Sequence, residues 1–217
     1  MKKIQILGLA LVAVFAFSAV AAASAFAENE WLLNGAAVTS KIPVLSEAIE
    51  LKLADMKGGL FLEEISVLCS GLDLGTVGPK GEDEVTEILN LAGTEKTIKC
   101  PASSGCGEAE ATVEALNLPW KTKIILKGTE FRDEVGPGTG GGPGYKVTCA
   151  LGITDSCTSP TAELSSTKLT NETGGVDSLF EAISEEKPAT CTRGGAKEGL
   201  VKGLDTIISD SGTLSVS

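Results

Sequence analysis

The chain has 217 residues, of which 18 are basic, 29 are acidic and none is histidine, so its formal net charge is −11 at pH 7. An acidic surface without clustered Lys and Arg disfavours nucleic acids and anionic lipids as partners. The absence of histidine excludes Ser-His-Asp and Cys-His catalysis, as well as zinc or copper sites with His ligands. Carboxylate-pair hydrolysis, Ser-Lys chemistry and oxygen-ligated calcium remain open.

The first 27 residues have the three parts of a secretory signal peptide. Lys2 and Lys3 precede an apolar run, and the segment ends in small residues with Ala25-Phe26-Ala27 as its cleavage site. We expect cleavage after Ala27; cleavage after Ala25 and an uncleaved membrane anchor are the alternatives. Residues 28–217 are then one secreted domain that has no stable membrane insertion and is long enough for a substantial core.

Turn-forming residues recur along the mature chain and predict short strands between them. Gly58-Gly59, Gly78-Pro79 and Gly194-Gly195 are examples, and many such turns are roughly ten residues apart. This rhythm is typical of an antiparallel all-β domain, either a β-sandwich or a barrel-like fold. The cysteines described below would staple this domain by disulfides.

Two segments, one early in the chain (45–56) and one late (176–183), fit either a strand or a helix. Leu45, Ile49 and Leu53 have helical spacing, but the same stretch also alternates between apolar and polar residues. In the second segment the apolar residues follow an i, i+3, i+4, i+7 pattern that ends before Pro188. We assign both segments to strands and keep a helix as the alternative for each.

The clearest strand runs from Trp120 to Lys127. Every second residue shares one face: Trp120, Thr122, Ile124 and Leu126, with lysines at three positions of the other face. We expect Trp120, Ile124 and Leu126 in the core and the lysines in water. Residues 145–150 alternate in the same way, with Tyr145, Val147 and Cys149 on one face.

The glycine-rich stretch Gly136–Gly144 lies before the second of these strands. Gly136, Gly138 and Gly141 match a G-x-G-x-x-G phosphate loop, but such a loop must open a helix, and this one opens onto Tyr145-Lys-Val-Thr. We therefore interpret the stretch as a flexible hairpin loop between strands 123–131 and 145–150.

All six cysteines follow the leader, and their even number predicts structural disulfides in an exported protein. They are Cys69, Cys100, Cys106, Cys149, Cys157 and Cys191. Six cysteines permit 15 pairings, which the sequence alone does not resolve. The spacings favour two local bridges, Cys100–Cys106 and Cys149–Cys157, with Cys69–Cys191 as a long bridge. C-x-x-C pairs are absent, so the sequence favours neither a metal site nor a catalytic thiol.

Adjacent acidic residues are the remaining chemistry-bearing feature. They occur at Glu63-Glu64, Glu82-Asp83-Glu84, Asp133-Glu134 and Glu185-Glu186. Neighbouring residues of a strand point to opposite faces, so no pair facing a substrate is visible, and we expect a solvated rim beside turns. The run at 82–84 lacks the order of a calcium-binding loop.

Two S-x-x-K matches lack the partner motifs of serine acyl-enzymes, and we treat both as incidental. They are Ser165–Lys168 and Ser184–Lys187. Asn171-Glu172-Thr173 is a glycosylation sequon, relevant only in a host that glycosylates exported proteins.

Four short motifs are distributed along most of the mature chain. They are Trp31 soon after the leader, Cys69-Ser-Gly followed by Gly75-Thr-Val-Gly-Pro79, Asn117-Leu-Pro-Trp120 and the terminal Leu214-Ser-Val-Ser217. In these motifs the chain resembles a group of secreted, β-rich bacterial proteins that have no known activity. The resemblance implies export and a β-rich domain, and nothing about chemistry.

Taken with the composition, these patterns predict a non-enzymatic extracellular binding module or an envelope-associated structural module. No catalytic residue, cofactor or metal ligand is expected, and the partner is an extracellular molecule or envelope component of unspecified identity. The alternative is a carboxylate-dependent hydrolase that acts on an extracellular polymer. A concave acidic cleft with two facing carboxylates would favour this alternative.

Overall fold

A computed structural model describes residues 29–58, 63–107, 109–138, 140–149, 152–159, 165–180 and 189–217. The leader, residues 1–27, lies outside this described part. Antiparallel strands and the turns between them make up nearly all of it, together with two short 3₁₀ turns at Pro79–Gly81 and Ser104–Cys106. The all-β prediction is therefore confirmed. Within the described part of the chain, no helix is long and apolar enough to cross a membrane.

The chain forms sixteen strands within its described residues. In chain order they are β1 (Trp31–Leu33), β2 (Ala36–Ala37), β3 (Ile42–Asp55), β4 (Ile65–Val77), β5 (Glu82–Asn90), β6 (Thr97–Pro101), β7 (Glu110–Leu116), β8 (Trp120–Lys127), β9 (Glu130–Gly136), β10 (Gly144–Cys149), β11 (Thr154–Thr158), β12 (Ser165–Glu172), β13 (Gly175–Phe180), β14 (Ala189–Cys191), β15 (Gly195–Ile208) and β16 (Leu214–Val216).

Eight of these strands close into an antiparallel barrel. Their order is β13-β12-β9-β8-β5-β4-β3-β15, and β15 also pairs with β13, which completes the circle. Closure removes the sheet edges, and an eight-stranded barrel has an interior that side chains fill or that holds one small ligand. Of the two predicted architectures, the structure therefore has the barrel.

A second sheet branches from the barrel at β15. The first part of β15 pairs with β14, and the sheet continues through β11, β10 and β7 to β6. β6 lies beside β4, to which it is joined by a bridge between Val67 and Ala102 and by the Cys69–Cys100 disulfide. The long strands β3, β4 and β15 thus run through both halves of the molecule.

Each half has its own apolar core. In the barrel, Trp31 is fully buried and packs with Val77, Ile124 and Val176. Trp31 belongs to the small sheet β16-β1-β2, which lies against the barrel and adds Val38, Leu214 and Val216 to the same core. The second core contains Ile65, Val67, Val113, Tyr145 and Val147 together with all six cysteines.

All six cysteines form disulfides, but the pairing predicted from spacing is wrong. The bridges are Cys69–Cys100, Cys106–Cys149 and Cys157–Cys191. The physical reason is that the order of strands in space differs from their order in the chain. β6 lies beside β4, which brings Cys100 to Cys69, and β11 pairs with β14, which sets Cys157 directly opposite Cys191.

The ambiguous segments are strands at all of their described residues except Met56, which lies in the turn after β3. Residues 45–55 lie in β3, which pairs with β4 and β15 along most of its length. Residues 176–180 lie in β13, between β12 and β15, and residues 181–183 lie outside the described part. Pairing on both sides of each strand outweighs the helical spacing of their apolar residues.

The strand Trp120–Lys127 is β8, as predicted, but only part of its apolar face is buried. Ile124 is buried and the three lysines are exposed, in agreement with the alternation. Leu126 is 50% exposed, contrary to the prediction, because it lies at the end of β8 beside the turn that leads into β9. Trp120 is half-buried, and its indole Nε1–H donates to the carbonyl oxygen of Leu116 at 2.7 Å.

The glycine-rich stretch is not a hairpin loop. It joins β9, which lies in the barrel, to β10, which lies in the second sheet, and these strands do not pair with each other. A Cβ on Gly138 would lie 2.2 Å from the carbonyl oxygens of Asn117 and Pro119, so glycine permits this close approach. The loop opens onto strand β10, which agrees with our rejection of a phosphate loop.

Trp31 should matter more to stability than Trp120. We expect Trp31→Ala to lower the free energy of unfolding by about 3–5 kcal/mol, as large-to-small aromatic changes in a core do. Trp120→Ala should cost less, because this side chain is only half-buried. Urea denaturation of both variants measures the difference. A larger loss for Trp120→Ala would contradict the assignment of Trp31 to the centre of the barrel core.

Candidate functional site

The acidic runs do not form the solvated rim that we expected, because three of their members, Asp83, Glu84 and Asp133, line an interior cavity. Asp133 in β9 is buried, and Asp83 in β5 is half-buried and lines the interior cavity described below. Their neighbours Glu82 and Glu134 point the other way, since adjacent residues of a strand face opposite sides. The expectation was therefore wrong for Asp83 and Asp133, and Glu185-Glu186 lies outside the described residues.

Each of the eight barrel strands contributes one polar side chain to a layer that we call the acidic belt. In barrel order the belt consists of Ser178, Thr167, Asp133, Thr122, Asp83, Asp73, Ser46 and Asp205. All eight residues line one cavity. Four aspartates and four hydroxyl residues thus share one level of the barrel.

The strand register shows that these residues form a closed ring. Each aspartate lies directly opposite a hydroxyl residue on a neighbouring strand: Asp73 opposite Ser46, Asp83 opposite Thr122, Asp133 opposite Thr167 and Asp205 opposite Ser178. From each pair to the next, the belt residue is displaced along its strand from the directly opposite position, always in the same direction around the barrel. Barrel strands are tilted, and this displacement compensates for the tilt, so the eight residues form a ring at one height.

The belt is only partly satisfied by hydrogen bonds. The Ser46 hydroxyl donates to Asp205 Oδ1, and the Trp31 indole Nε1–H donates to Asp83 Oδ2 at 3.1 Å. Asp83 Oδ1, Asp133 Oδ1 and Thr167 Oγ1 are buried and have no hydrogen-bond partner in the structure. Buried polar atoms are nearly always paired, so three orphans at one level need an explanation.

The belt opens onto a cavity of about 210 Å³ that extends into the second half of the molecule. There its walls are mainly apolar and include Leu53, Val113 and Tyr145. Among the described residues that line the cavity, none is Lys or Arg. The cavity lining therefore combines four aspartates and Glu84, which pairs with Lys41 at 3.1 Å, with an apolar region.

Burial raises the pKa of all four belt aspartates. The pKa of Asp133 rises to about 7 and that of Asp205 to about 6, with desolvation as the main cause in both. Desolvation also holds the pKa of Asp73 and of Asp83 well above the usual value, and the negative charges of Asp205 and Asp133, respectively, raise them further. The belt consequently retains protons near neutral pH.

A second pair of buried carboxyl groups lies beside the Cys157–Cys191 bridge. Asp55 and Asp155 are each 2% exposed, and the pKa of Asp55 is raised by desolvation and by its hydrogen bond with Asp155. The four ligand-type atoms of these residues lie within 4.8 Å of one another, but both sulfurs are bonded in the disulfide. Cys157 and Cys191 are therefore not available as thiolate ligands.

Backbone N–H groups already satisfy this carboxyl pair. Asp55 accepts from the N–H of Lys57 at 2.9 Å and of Gly194 at 2.6 Å. Asp155 accepts from the N–H of Arg193 at 3.0 Å and from the Thr192 hydroxyl at 2.7 Å. The pair therefore ties the turn after β3 to the turn before β15, which is a structural role.

The remaining motifs gain no chemical role from the structure. Lys168 of the first S-x-x-K match lies 2.8 Å from Glu130 in an ion pair, and the second match includes residues outside the described part. The side chain of Asn171, the sequon residue, donates to the carbonyl oxygen of Val216 and accepts from its N–H. A glycan at Asn171 would be attached to Nδ2, the atom that donates to Val216.

Comparison of the chain with protein-family models, curated proteins and solved structures finds no match.

The raised pKa values predict that the protein loses stability as the pH rises from about 5 to about 8. The usual pKa of Asp in an unfolded chain is about 3.9, so the folded chain holds more protons than the unfolded chain over this range. The stabilisation from these bound protons is complete below about pH 3.9. It is lost as the pH passes about 6 for Asp205 and about 7 for Asp133. Each excess proton changes the free energy of unfolding by about 1.4 kcal/mol per pH unit.

Urea denaturation at several pH values measures this slope. Asp133→Asn should flatten it, whereas Asp210→Asn, at an exposed position outside the belt, should not. Lys168 and Arg132 lower the pKa of Glu130, but this shift does not affect the slope, because Glu130 is ionised in the folded and the unfolded chain throughout this pH range. Stability that rises with pH, or an equal slope in both variants, would contradict the raised values.

Proposed function

We propose that the chain is a non-enzymatic, secreted binding module that holds a small ligand inside its barrel. The observation that carries this proposal is the cavity, which is lined by Asp133 and Thr167, each with a buried oxygen that has no hydrogen-bond partner. A mainly apolar cavity with a few convergent polar groups is the usual form of a small-molecule site. The ligand is a free extracellular molecule or an exposed group of an envelope component.

The volume sets the size of the ligand. An engineered protein cavity of about 150 Å³ accepts benzene, so a cavity of about 210 Å³ suits a somewhat larger molecule. A polymer chain is too large for such an interior space. The volume therefore favours a binding module over the polymer-degrading hydrolase that the sequence left as an alternative.

Export is the second part of the proposal. Three disulfides are typical of proteins that fold outside the cytoplasm, and the first 27 residues have the pattern of a cleaved leader. N-terminal sequencing of the protein recovered from outside the producing cells should show a chain that begins at Glu28. A membrane-bound product that retains Lys2 and Lys3 would contradict export as a free module.

A hydrolase remains the second candidate, because the belt carries carboxyl groups whose pKa values are raised to near neutrality. The pKa of Asp133, about 7, is suited to a general acid. The substrate would then be a small molecule that enters the cavity. This candidate differs from the binding module in requiring turnover.

Binding of small probes to the mature protein tests the proposed function. We expect at least one six-carbon probe, with a neutral, anionic or cationic head group, to bind with one-to-one stoichiometry in an NMR titration. Ala48→Phe should weaken this binding about tenfold or more, because Ala48 lines the cavity and the larger ring fills it. Ala37→Phe, at an exposed position of β2, is the matched control and should leave binding unchanged.

Two outcomes decide against the binding module. If no probe binds, or if binding is the same in the Ala48 and Ala37 variants, the cavity is not a ligand site. If the protein turns over small ester, peptide or glycoside substrates and Asp133→Asn abolishes this turnover, the hydrolase is correct.

A further inference from the structure

The chemical class of the ligand can be inferred from the orphaned atoms of the belt, an inference that rests on the proposed binding function. Asp133 is 8% exposed and Thr167 is 1% exposed, and these residues lie directly opposite each other on β9 and β12. Asp133 Oδ1, Thr167 Oγ1 and the nearby Asp83 Oδ1 all lack a hydrogen-bond partner. Carboxylate oxygens accept hydrogen bonds, and the Thr167 hydroxyl can accept as well as donate, so a ligand with hydrogen-bond donors can pair with all three atoms.

The charge of the cavity indicates the charge of that ligand. Four aspartates line the cavity, and no Lys or Arg does so among the described lining residues. Buried carboxylates are normally paired with a cation or neutralised by protons. A cationic ligand would supply the missing partner.

The spacing of the carboxylates argues against a single metal ion. Calcium and magnesium need several oxygens that converge on one point. Within the described residues, the one group of three or more acidic or thiol side chains that converges closely lies at Asp55 and Asp155, away from the belt. The belt aspartates lie on four strands, β4, β5, β9 and β15, and belong to no such group.

The remainder of the cavity defines the rest of the ligand. Beyond the belt, the walls continue into the second half of the molecule past Leu53, Ile98 and Val113. An apolar group placed there leaves water and contacts apolar side chains, which favours binding.

We propose that the barrel binds an organic ammonium ion, a primary amine whose N–H groups donate to orphaned oxygens of the acidic belt and whose apolar body occupies the adjoining region. An ammonium group donates hydrogen bonds and accepts none, so it suits a site lined by carboxyl and hydroxyl oxygens. Because the belt retains protons near neutral pH, the ammonium ion binds more tightly as those protons leave. The charged groups that act on this equilibrium are the four belt aspartates, Glu134 beside Asp133, Asp177 beside Asp205, and Glu84, which lines the cavity and pairs with Lys41.

Calorimetric titration of the mature protein with four probes tests this inference. The probes are n-hexylammonium, n-hexanol, hexanoate and calcium chloride, and the first three share one apolar chain. Near neutral pH, hexylammonium should bind at least about tenfold more tightly than hexanol, and hexanoate should not bind detectably. The affinity for hexylammonium should rise between about pH 5 and about pH 8, a range in which a primary amine stays protonated.

Belt variants assign the preference to the proposed atoms. Asp133→Asn should remove most of the preference for hexylammonium over hexanol, whereas the exposed-site control Asp210→Asn should retain it. Thr167→Val keeps the shape of the side chain but removes the orphaned oxygen. It should weaken the binding of hexylammonium and leave the binding of hexanol unchanged. This second variant keeps the test decisive if Asp133→Asn does not fold.

The outcomes separate this inference from the proposed function. Equal binding of hexylammonium, hexanol and hexanoate, abolished by Ala48→Phe, would overturn the ammonium class and leave the binding module in place. Calcium binding that displaces hexylammonium would also overturn it. If Asp133→Asn and Thr167→Val both keep the preference for hexylammonium over hexanol, the amine does not bind at the belt. If none of the four probes binds, both proposals are overturned.

Discussion

Burial of four carboxyl groups at one level of a closed barrel is the constraint around which the rest of the molecule is arranged. Each group loses its hydration, and the surrounding chain replaces that hydration only in part. Ser46 donates to Asp205 and Trp31 donates to Asp83, while protons retained by the belt remove further charge. The orphaned oxygens that remain are a cost to stability, since an apolar layer would fill the same space without unpaired atoms.

The rest of the fold holds this unfavourable layer in place. β3, β4 and β15 run through both halves, so the strands that carry Ser46, Asp73 and Asp205 are anchored in a second core beyond the barrel. The three disulfides all lie in that second core. Covalent links outside the belt restrict the unfolded chain and so stabilise the folded molecule without filling the cavity.

The sequence predicted the local structure of the chain better than its long-range arrangement. Alternation along Trp120–Lys127 was sufficient to predict β8 and the exposure of its lysines, because alternation is a local property of one strand. The exposure of Leu126 was not predictable in this way, since it depends on where the strand ends. Disulfide pairing was missed because β6 lies beside β4, and spacing along the chain does not reveal which strands are neighbours.

The sequence did not predict the acidic belt either, because it does not reveal the register between strands. Asp83 and Asp133 belong to acidic runs, and because their outward-facing neighbours are also acidic, the sequence does not show which of these side chains face inward. Asp73 and Asp205 lie alone among apolar residues and glycines of β4 and β15, which is a weak signal for a buried functional acid. Only the pairing of eight strands brings these four residues to one level.

The measurement that tests this account most directly is an NMR titration of the aspartate side-chain carboxyl carbons in the mature, ligand-free protein. The account predicts that Asp133 and Asp205 titrate with pKa values of about 7 and about 6, and that Asp73 and Asp83 also titrate well above the usual range. If all four carboxyl groups instead titrate near the ordinary value of about 3.9, they are solvated, and the buried acidic belt does not exist.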